Sequence, residues 1–242
     1  MASSTEPTPS RAYTLRPAAV ADIPAMAALS ADGFKTDRNT MVKAMGPNPY
    51  DHKETMAMLL PGWITNGWVV VAVETASGDV AGWVAWGRTG YGAAPAPPAE
   101  PFDHDEHERK ARAEPDPLER LNKLSSADFK RFMDTRLNPP ASGKERCLFV
   151  TSICVAPNHQ NRGVGALLAQ TGMDEADKDG VDIWVHASEA AGHLFTKLGW
   201  NIIGTYDINL DEYAIGPPPN GDVKWGHYVF KYMLYTPNLK PK

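Results

Sequence analysis

One stretch in the second half of the chain combines residue types that can bind an anion. Gly163 and Gly165 follow an apolar run and precede Leu167 and Leu168. The first turn of a helix has amide groups without intrahelical partners and the positive end of the helix dipole, so it attracts negative charge. Glycine in that turn lets a bulky diphosphate approach the backbone closely. The segment therefore predicts a helix start that binds a diphosphate.

Gln160 and Arg162 place a polar and a cationic side chain at the same end of this helix. Two familiar phosphate motifs do not fit the spacing. The phosphate loop of nucleotide hydrolases needs a Lys followed by Ser or Thr, whereas Ala166 and Leu167 stand here. A dinucleotide fingerprint needs three glycines in its own spacing.

The elements around the glycines indicate a βαβ unit. A strand over Cys147–Val155 is predicted to lead into a helix over Gly163–Lys178 and then a strand over Asp182–His186. Strands joined in this way are parallel. Ser188 then caps a helix over Glu189–Leu198.

The rest of the chain predicts an α/β fold with a mixed central sheet flanked by helices. The further elements are a strand over Tyr13–Arg16, helices over Ile23–Ala31 and Asp51–Ile64, a hairpin of Trp68–Val73 and Val80–Trp86, and strands over Trp200–Ile208 and Trp225–Leu234.

Residues 88–144 interrupt this pattern. They combine a Gly/Ala/Pro-rich loop, a charged run and a helix over Leu118–Leu137. We interpret them as a helical insertion in a single domain of residues 11–242.

Residues 1–10, rich in Ser, Thr and Pro, are predicted to be a disordered tail.

The run Gln160-Asn161-Arg162-Gly163-Val164-Gly165, preceded by Val155-x-Pro157, resembles the signature of the GNAT superfamily of N-acetyltransferases. A second run, Leu194-Phe195-Thr196-Lys197-Leu198-Gly199-Trp200, is similar to the family's helix end, Leu-Tyr-x-Lys-x-Gly-Phe. The resemblance is close over residues 146–200 and extends by element order to most of residues 13–234.

This resemblance implies a GNAT-like fold in which the two parallel strands splay apart and acetyl-CoA is the cofactor. The pantetheine arm is then expected against the backbone of Ile153, Cys154 and Val155. The diphosphate is expected at the amides of Gln160, Asn161, Arg162, Gly163, Val164, Gly165 and Ala166.

The chain departs from the family at the position of the general acid. A tyrosine usually stands there, beside the sulfur of CoA, and here it is Phe195, which cannot donate a proton. The resemblance still implies that Phe195 belongs to the cofactor-binding residues. We therefore take Ser188 and His186 as candidate catalytic residues. A helix cap remains the alternative role for Ser188, and a satisfied strand-end histidine that for His186. The general base is not identified; the candidates are Glu74, His186, Tyr206 and Asp207.

His104 and His107 stand three residues apart in an acidic run and could together reach a metal ion. A solvated charged helix is the favoured interpretation of the run, and we predict no metal site.

Composition narrows the choice of partners. The formal net charge is -5, so the basic surface that nucleic-acid binding requires is not expected. The sequence holds no apolar run of membrane-spanning length and no secretory signal. Cys147 and Cys154 lie too far apart along one strand to bond to each other. These features predict a cytoplasmic protein, either a monomer or a homodimer.

The sequence as a whole predicts an acetyl-CoA-dependent N-acetyltransferase that acts on a primary amine of a small molecule, with the insertion as a lid or wall over the acceptor. Two alternatives remain. One is a protein acetyltransferase that acts on lysines or N-termini, which would need an open groove. The other is a non-catalytic acyl-CoA-binding module, which Phe195 would favour.

Overall fold

A seven-stranded mixed sheet forms the centre of the computed structural model, which describes residues 12–91, 102–137 and 146–237. The strands are β1 (Tyr13–Pro17), β2 (Trp68–Glu74), β3 (Val80–Thr89), β4 (Cys147–Val155), β5 (Asp182–Ala187), β6 (Asn201–Asn209) and β7 (His227–Tyr235). Their order is β1-β2-β3-β4-β5-β7-β6. β4 and β5 pair in parallel, and the other neighbours are antiparallel. The predicted mixed sheet and its parallel pair are confirmed.

Seven α-helices cover the two faces of this sheet in the described ranges. They are α1 (Ile23–Phe34), α2 (Arg38–Lys43), α3 (His52–Asn66), α4 (His104–Arg112), α5 (Pro117–Phe132), α6 (Val164–Asp179) and α7 (Glu189–Lys197). A π-helical turn, Met133–Leu137, extends α5.

Alternation along the strands sends buried side chains to two separate cores. Val71 and Trp83 face α1 and α3, whereas Val70 and Val84 face α6. Residues of α6 and α7 belong to the same core, so these helices share one face of the sheet. α5 packs on the opposite face, where the Phe132 ring stacks on Tyr232 with centroids 3.6 Å apart. The predicted insertion therefore forms two helices, of which α5 covers the β5–β7–β6 end.

Several boundaries differ from the predicted ones. α1 continues to Phe34, and β7 begins at His227, so Trp225 lies in the loop before the strand. α2 was not predicted, because six residues are too short for an apolar period to show. Cys147 and Cys154 are both buried and free, as expected.

The predicted disordered tail, most of the Gly/Ala/Pro-rich loop and the end of the insertion fall outside the described residues. Within the described ranges, no helix has both the length and the apolar character that crossing a bilayer requires.

Close packing of α6 on β3 depends on Gly172. A methyl group there would lie 2.2 Å from the ring of Trp86, which is itself buried. We expect Gly172→Ala to lower the free energy of unfolding by about 1–3 kcal/mol, as overpacked cores do. The measurement is urea unfolding followed by circular dichroism.

Gly62→Ala in α3 is the matched control, because a methyl group there would meet none of the described atoms within 4 Å. We expect it to be neutral or slightly stabilising. Equal stability losses in the two variants would contradict the role of Gly172.

Candidate active site

The parallel pair of strands opens into a gap. β4 pairs with β5 only from Cys147 to Phe149, opposite Asp182 to Trp184. Beyond these residues β4 continues to Val155 and β5 to Ala187 without pairing to each other. We call the space between these two strand ends the interstrand gap. The splayed strand pair that the sequence predicts is present.

The register of β4 decides which backbone groups face the gap. The Ala156 N–H donates to the Ala81 carbonyl at 2.9 Å, and Cys154 pairs with Trp83. Because antiparallel residues alternate between bonded and non-bonded pairs, the backbone of Cys154 also bonds toward β3. The amide and carbonyl groups of Ile153 and Val155 point the other way, into the gap.

Cys154 is therefore not at the gap with its two neighbours. Its thiol lies on the α1 side, 3.7 Å from the carbonyl of Leu29. Burial raises the pKa of this thiol to about 12, so it stays protonated near neutral pH. The geometry gives Cys154 a packing role rather than a binding one.

The loop that follows β4 turns sharply into α6. Asn161 and Gly163 both have positive φ, 57° and 84°. Gly163 is the N-cap of α6, and no side chain caps the helix there. The first intrahelical bond runs from the Leu167 N–H to the Gly163 carbonyl. The amides of Val164 and its two successors are thus placed to bind an anion.

The other predicted residues of this loop lie around the same helix start. The side-chain amide of Gln160 donates to the Val155 carbonyl at 3.1 Å, and Arg162 lies 3.8 Å from Glu74. Gly165 allows close packing of α7, because a methyl group there would lie 3.1 Å from Leu194. The loop, Ile153 and Val155 together suit a ligand with a diphosphate and an extended amide-bearing arm.

Phe195 lies outside this arrangement of polar groups. Its side chain is fully buried in the core shared by α6 and α7, and its ring lies 4.5 Å from that of Trp200. The position can supply neither a proton nor a hydrogen bond.

His186 stands on β5 just beyond the last residue that pairs with β4. Its ring lies among aromatic rings, 4.5 Å from Phe230, 4.5 Å from Tyr232 and 5.5 Å from Phe129 of the insertion. Its Nε2 atom is buried and has no hydrogen-bond partner among the described residues. Burial, and then the charge of Lys43, lower the pKa of His186 to about 4. The imidazole is therefore neutral near pH 7.

Ser188 caps α7. Its hydroxyl oxygen accepts from the Ala191 N–H at 3.3 Å, as the capping alternative expects.

The other candidate bases lie elsewhere. Glu74 faces the α6 loop, where it lies within 4.0 Å of both His159 and Arg162. Asp207 is exposed and lies 2.7 Å from the Nδ1 atom of His227. Burial raises the pKa of Tyr206, which keeps the phenol protonated. Of the four candidates, His186 is the one at the strand divergence.

The short helix α2, which sequence reasoning missed, joins the two sides of the gap. Asp37 caps it, accepting from the Thr40 N–H and from the Tyr228 hydroxyl at 2.6 Å. Arg38 donates to both carboxylate oxygens of Glu189, the first residue of α7, at 2.8 Å. On the other side, the preceding α1 packs on β4 so closely that a methyl group at Gly33 would lie 2.7 Å from the Cys154 sulfur. An Asp three residues before a Thr was the available signal for this helix.

Two cavities flank α2. The larger, of about 470 Å³, lies between α2 and the loop before β7. The smaller, of about 350 Å³, lies between α2, the end of α1 and the start of α3. Met41 of α2 lines both of them.

The acidic run of the insertion forms α4. The Nε2 atom of His104 lies 3.4 Å from Asp134, and both His104 and His107 pack against the Phe102 ring. Across the residues that the structure describes, no three His, Cys, Asp or Glu side chains are grouped to hold a metal ion.

Comparisons with known proteins agree with this geometry. The model of the acetyltransferase (GNAT) family matches residues 49–200. The fold is similar to a mosquito arylalkylamine N-acetyltransferase like 5b, with 19% identity and a TM-score of 0.59. It is also similar to arylalkylamine N-acetyltransferase 2 from Aedes aegypti (14%, 0.61) and to a Drosophila melanogaster polyamine N-acetyltransferase (17%, 0.59). Each match covers 93% of this chain and 99% of the other. No curated protein sequence matches the chain.

The helix start can be tested at Gly163. Alanine there would force a side chain into the left-handed region, at a cost of about 1 kcal/mol, and would displace the amides of the first turn. We expect Gly163→Ala to raise the KM for acetyl-CoA several-fold. Gly180→Ala, at the other end of α6 and also at positive φ, is the control. It should lose similar stability and keep the KM of the unaltered protein; equal KM values in the two variants would count against the assignment.

The buried His186 predicts an acid-sensitive stability. Its pKa is about 4 in the folded protein against 6.5 ordinarily, so between these values the unfolded chain binds a proton that the folded chain does not. The contribution of His186 to the free energy of unfolding is therefore fully present above pH 6.5 and decreases as the pH falls toward 4. His186→Phe should therefore lose less stability between pH 7 and pH 4.5, measured by urea unfolding. His193→Phe, at an exposed histidine of α7, is the control. A loss in His186→Phe as large as that of the unaltered protein would refute the prediction.

Proposed function

Because the chain belongs to the acetyltransferase (GNAT) family, we propose that it transfers the acetyl group of acetyl-CoA to the primary amine of a small molecule. The enzyme class and the donor follow from the family. The size of the acceptor and the roles of individual residues are the proposal.

The observation that carries the small acceptor is the position of α2. The Arg38–Glu189 contact ties α2 to the start of α7, and α1 anchors its other end against β4. Two cavities, of about 470 and 350 Å³, flank α2 on this side of the molecule. An extended peptide segment needs an open groove, whereas cavities of a few hundred Å³ suit small ligands.

The donor site fits the chemistry of CoA. The uncapped first turn of α6 would hold the diphosphate, and the backbone of Ile153 and Val155 would pair with the amides of the arm. When bound, acetyl-CoA supplies a thioester carbonyl that an amine can attack. An N–H group of Ile153 or Val155 that faces the gap is a candidate donor to the oxygen that becomes negative during attack.

The proton chemistry relies on few side chains. With a pKa of about 4, His186 is a poor proton store, so its role in the proposed reaction is to position the attacking amine. We assign it this positioning role and assign Ser188 to the helix cap. Phe195 offers no acid, so the thiolate must leave unaided or take its proton from water.

The structural neighbours suggest which amines to test. Two of them are described as arylalkylamine N-acetyltransferases and one as forming N-acetylagmatine. At identities of 14–19% they indicate the fold alone, so both kinds of amine belong in the assay beside lysine peptides.

The proposal predicts release of free CoA thiol from acetyl-CoA with small primary amines and little release with lysine peptides or N-terminal peptides. The thiol is followed with a chromogenic disulfide, and the acetylated amine is identified by mass spectrometry. Turnover confined to peptides would replace the proposal with a protein acetyltransferase. Calorimetric binding of acetyl-CoA without turnover of any amine would support the non-catalytic module that Phe195 favours.

A further inference from the structure

The two cavities beside α2 share one lining residue, Met41. We propose that the acceptor is a monoamine with an apolar body that occupies the larger cavity, and that Met41 limits its length by separating that cavity from the smaller one. This inference rests on the proposed acetylation of a small amine and names the class of amine.

The larger cavity has the better position for the acceptor. It is lined by Arg38, which binds Glu189 at the start of α7, only two residues beyond the end of β5. Its other walls come from the loop before β7, whose strand pairs with β5. These contacts place the larger cavity beside the start of α7 and beside the loop that leads into the strand paired with β5.

The walls of the larger cavity favour an apolar body. Met41, Pro218, Pro219 and the ring of Trp225 line it. Trp225 is itself fixed, because its indole N–H donates to the Gly216 carbonyl at 2.8 Å. Rigid rings and aliphatic groups of this kind bind alkyl and aryl groups through the area that they remove from water.

The charges around the cavity disfavour a second ammonium group. Arg38 is neutralised by Glu189, while Lys224 and Asp222 offset each other. A diamine or polyamine would place its second cation against a lining that offers no excess negative charge, so that group would lose hydration without gaining an ionic partner. A monoamine of the same length avoids this cost.

The smaller cavity is lined by rings. Phe34 lies 4.4 Å and Tyr50 5.6 Å from the ring of His52, and the Tyr50 hydroxyl lies 2.9 Å from its Nδ1 atom. Burial lowers the pKa of His52, which favours its neutral form. Removing the side chain of Met41 would join this ring-lined space to the larger cavity, so a longer aryl group could extend into it.

Two matched pairs of amines test the inference. Hexylamine and 1,5-diaminopentane have equal length and differ in one terminal ammonium group. We expect kcat/KM for hexylamine to be at least about tenfold higher. 2-Phenylethylamine and 4-phenylbutylamine differ in length, and we expect Met41→Ala to raise the relative kcat/KM of the longer amine about tenfold.

Met45→Ala is the matched control. Met45 follows α2 by one helical turn from Met41 and packs on the same core, but it lines neither cavity. It should leave the preference between the two phenyl amines as in the unaltered protein. The KM for acetyl-CoA should be the same in all three proteins, which separates an effect on the acceptor from a general loss of structure.

Calorimetric titration of the same amines into the CoA-loaded protein keeps this test independent of turnover. Tighter binding of hexylamine, with a gain for 4-phenylbutylamine in Met41→Ala, would support the inference even if no amine were acetylated and the proposed function failed. A preference for 1,5-diaminopentane, or the same length preference in Met41→Ala and Met45→Ala, would overturn the inference while leaving amine acetylation intact.

Discussion

Backbone amide and carbonyl groups that leave water need hydrogen-bond partners. On the side of β4 that faces β5, neighbouring strands supply such partners for only part of the strand. β3 pairs with β4 along nearly its whole length, whereas β5 pairs only as far as Phe149. At this last pair the rings of Phe149 and Trp184 stack, 5.1 Å apart, and beyond it the strands diverge. The groups of Ile153 and Val155 that face the gap can be satisfied by a ligand that carries amides of its own. The divergence of the strands thus leaves unpaired the backbone groups that we propose to bind the donor.

The remaining elements hold this opening in place. α6 packs closely on β3 because Gly172 leaves room for the Trp86 ring. α7 packs closely on α6 because Gly165 leaves room for Leu194. The uncapped start of α6 therefore lies at the end of β4, beside the gap. On the other face, α5 covers β5 and β7 through contacts of Phe129 and Phe132. In the described part of the chain the insertion covers this end of the sheet and lines neither cavity.

The sequence predicted the strand and helix start at the proposed donor site but not the short helix α2, and the reason is physical. A helix start that binds a diphosphate needs glycines and a preceding strand, which are local features visible between Val155 and Leu168. The exclusion of Cys154 from the gap depends on its register with Trp83, which lies on a distant strand. α2 is too short for periodicity, and its place is set by contacts with Glu189 and Tyr228, each more than 150 residues away. The motif likewise indicated that Phe195 lacks a hydroxyl, but not that its ring is a fully buried part of the core.

The same distinction between local and long-range features applies to the proposed sites of the two substrates. The donor site that we propose consists mainly of backbone groups of β4 and of the first turn of α6. The cavity that we propose for the acceptor is lined by side chains of α2 and of the loop before β7, such as Met41 and Trp225. Substitutions at these positions can therefore alter the choice of amine while the gap and the start of α6 stay intact. With Phe195 committed to packing, little side-chain chemistry remains at the donor. If the proposed reaction is correct, we expect its rate enhancement to come chiefly from placing a neutral amine against the thioester, so that the shape of the acceptor cavity influences activity as well as selectivity.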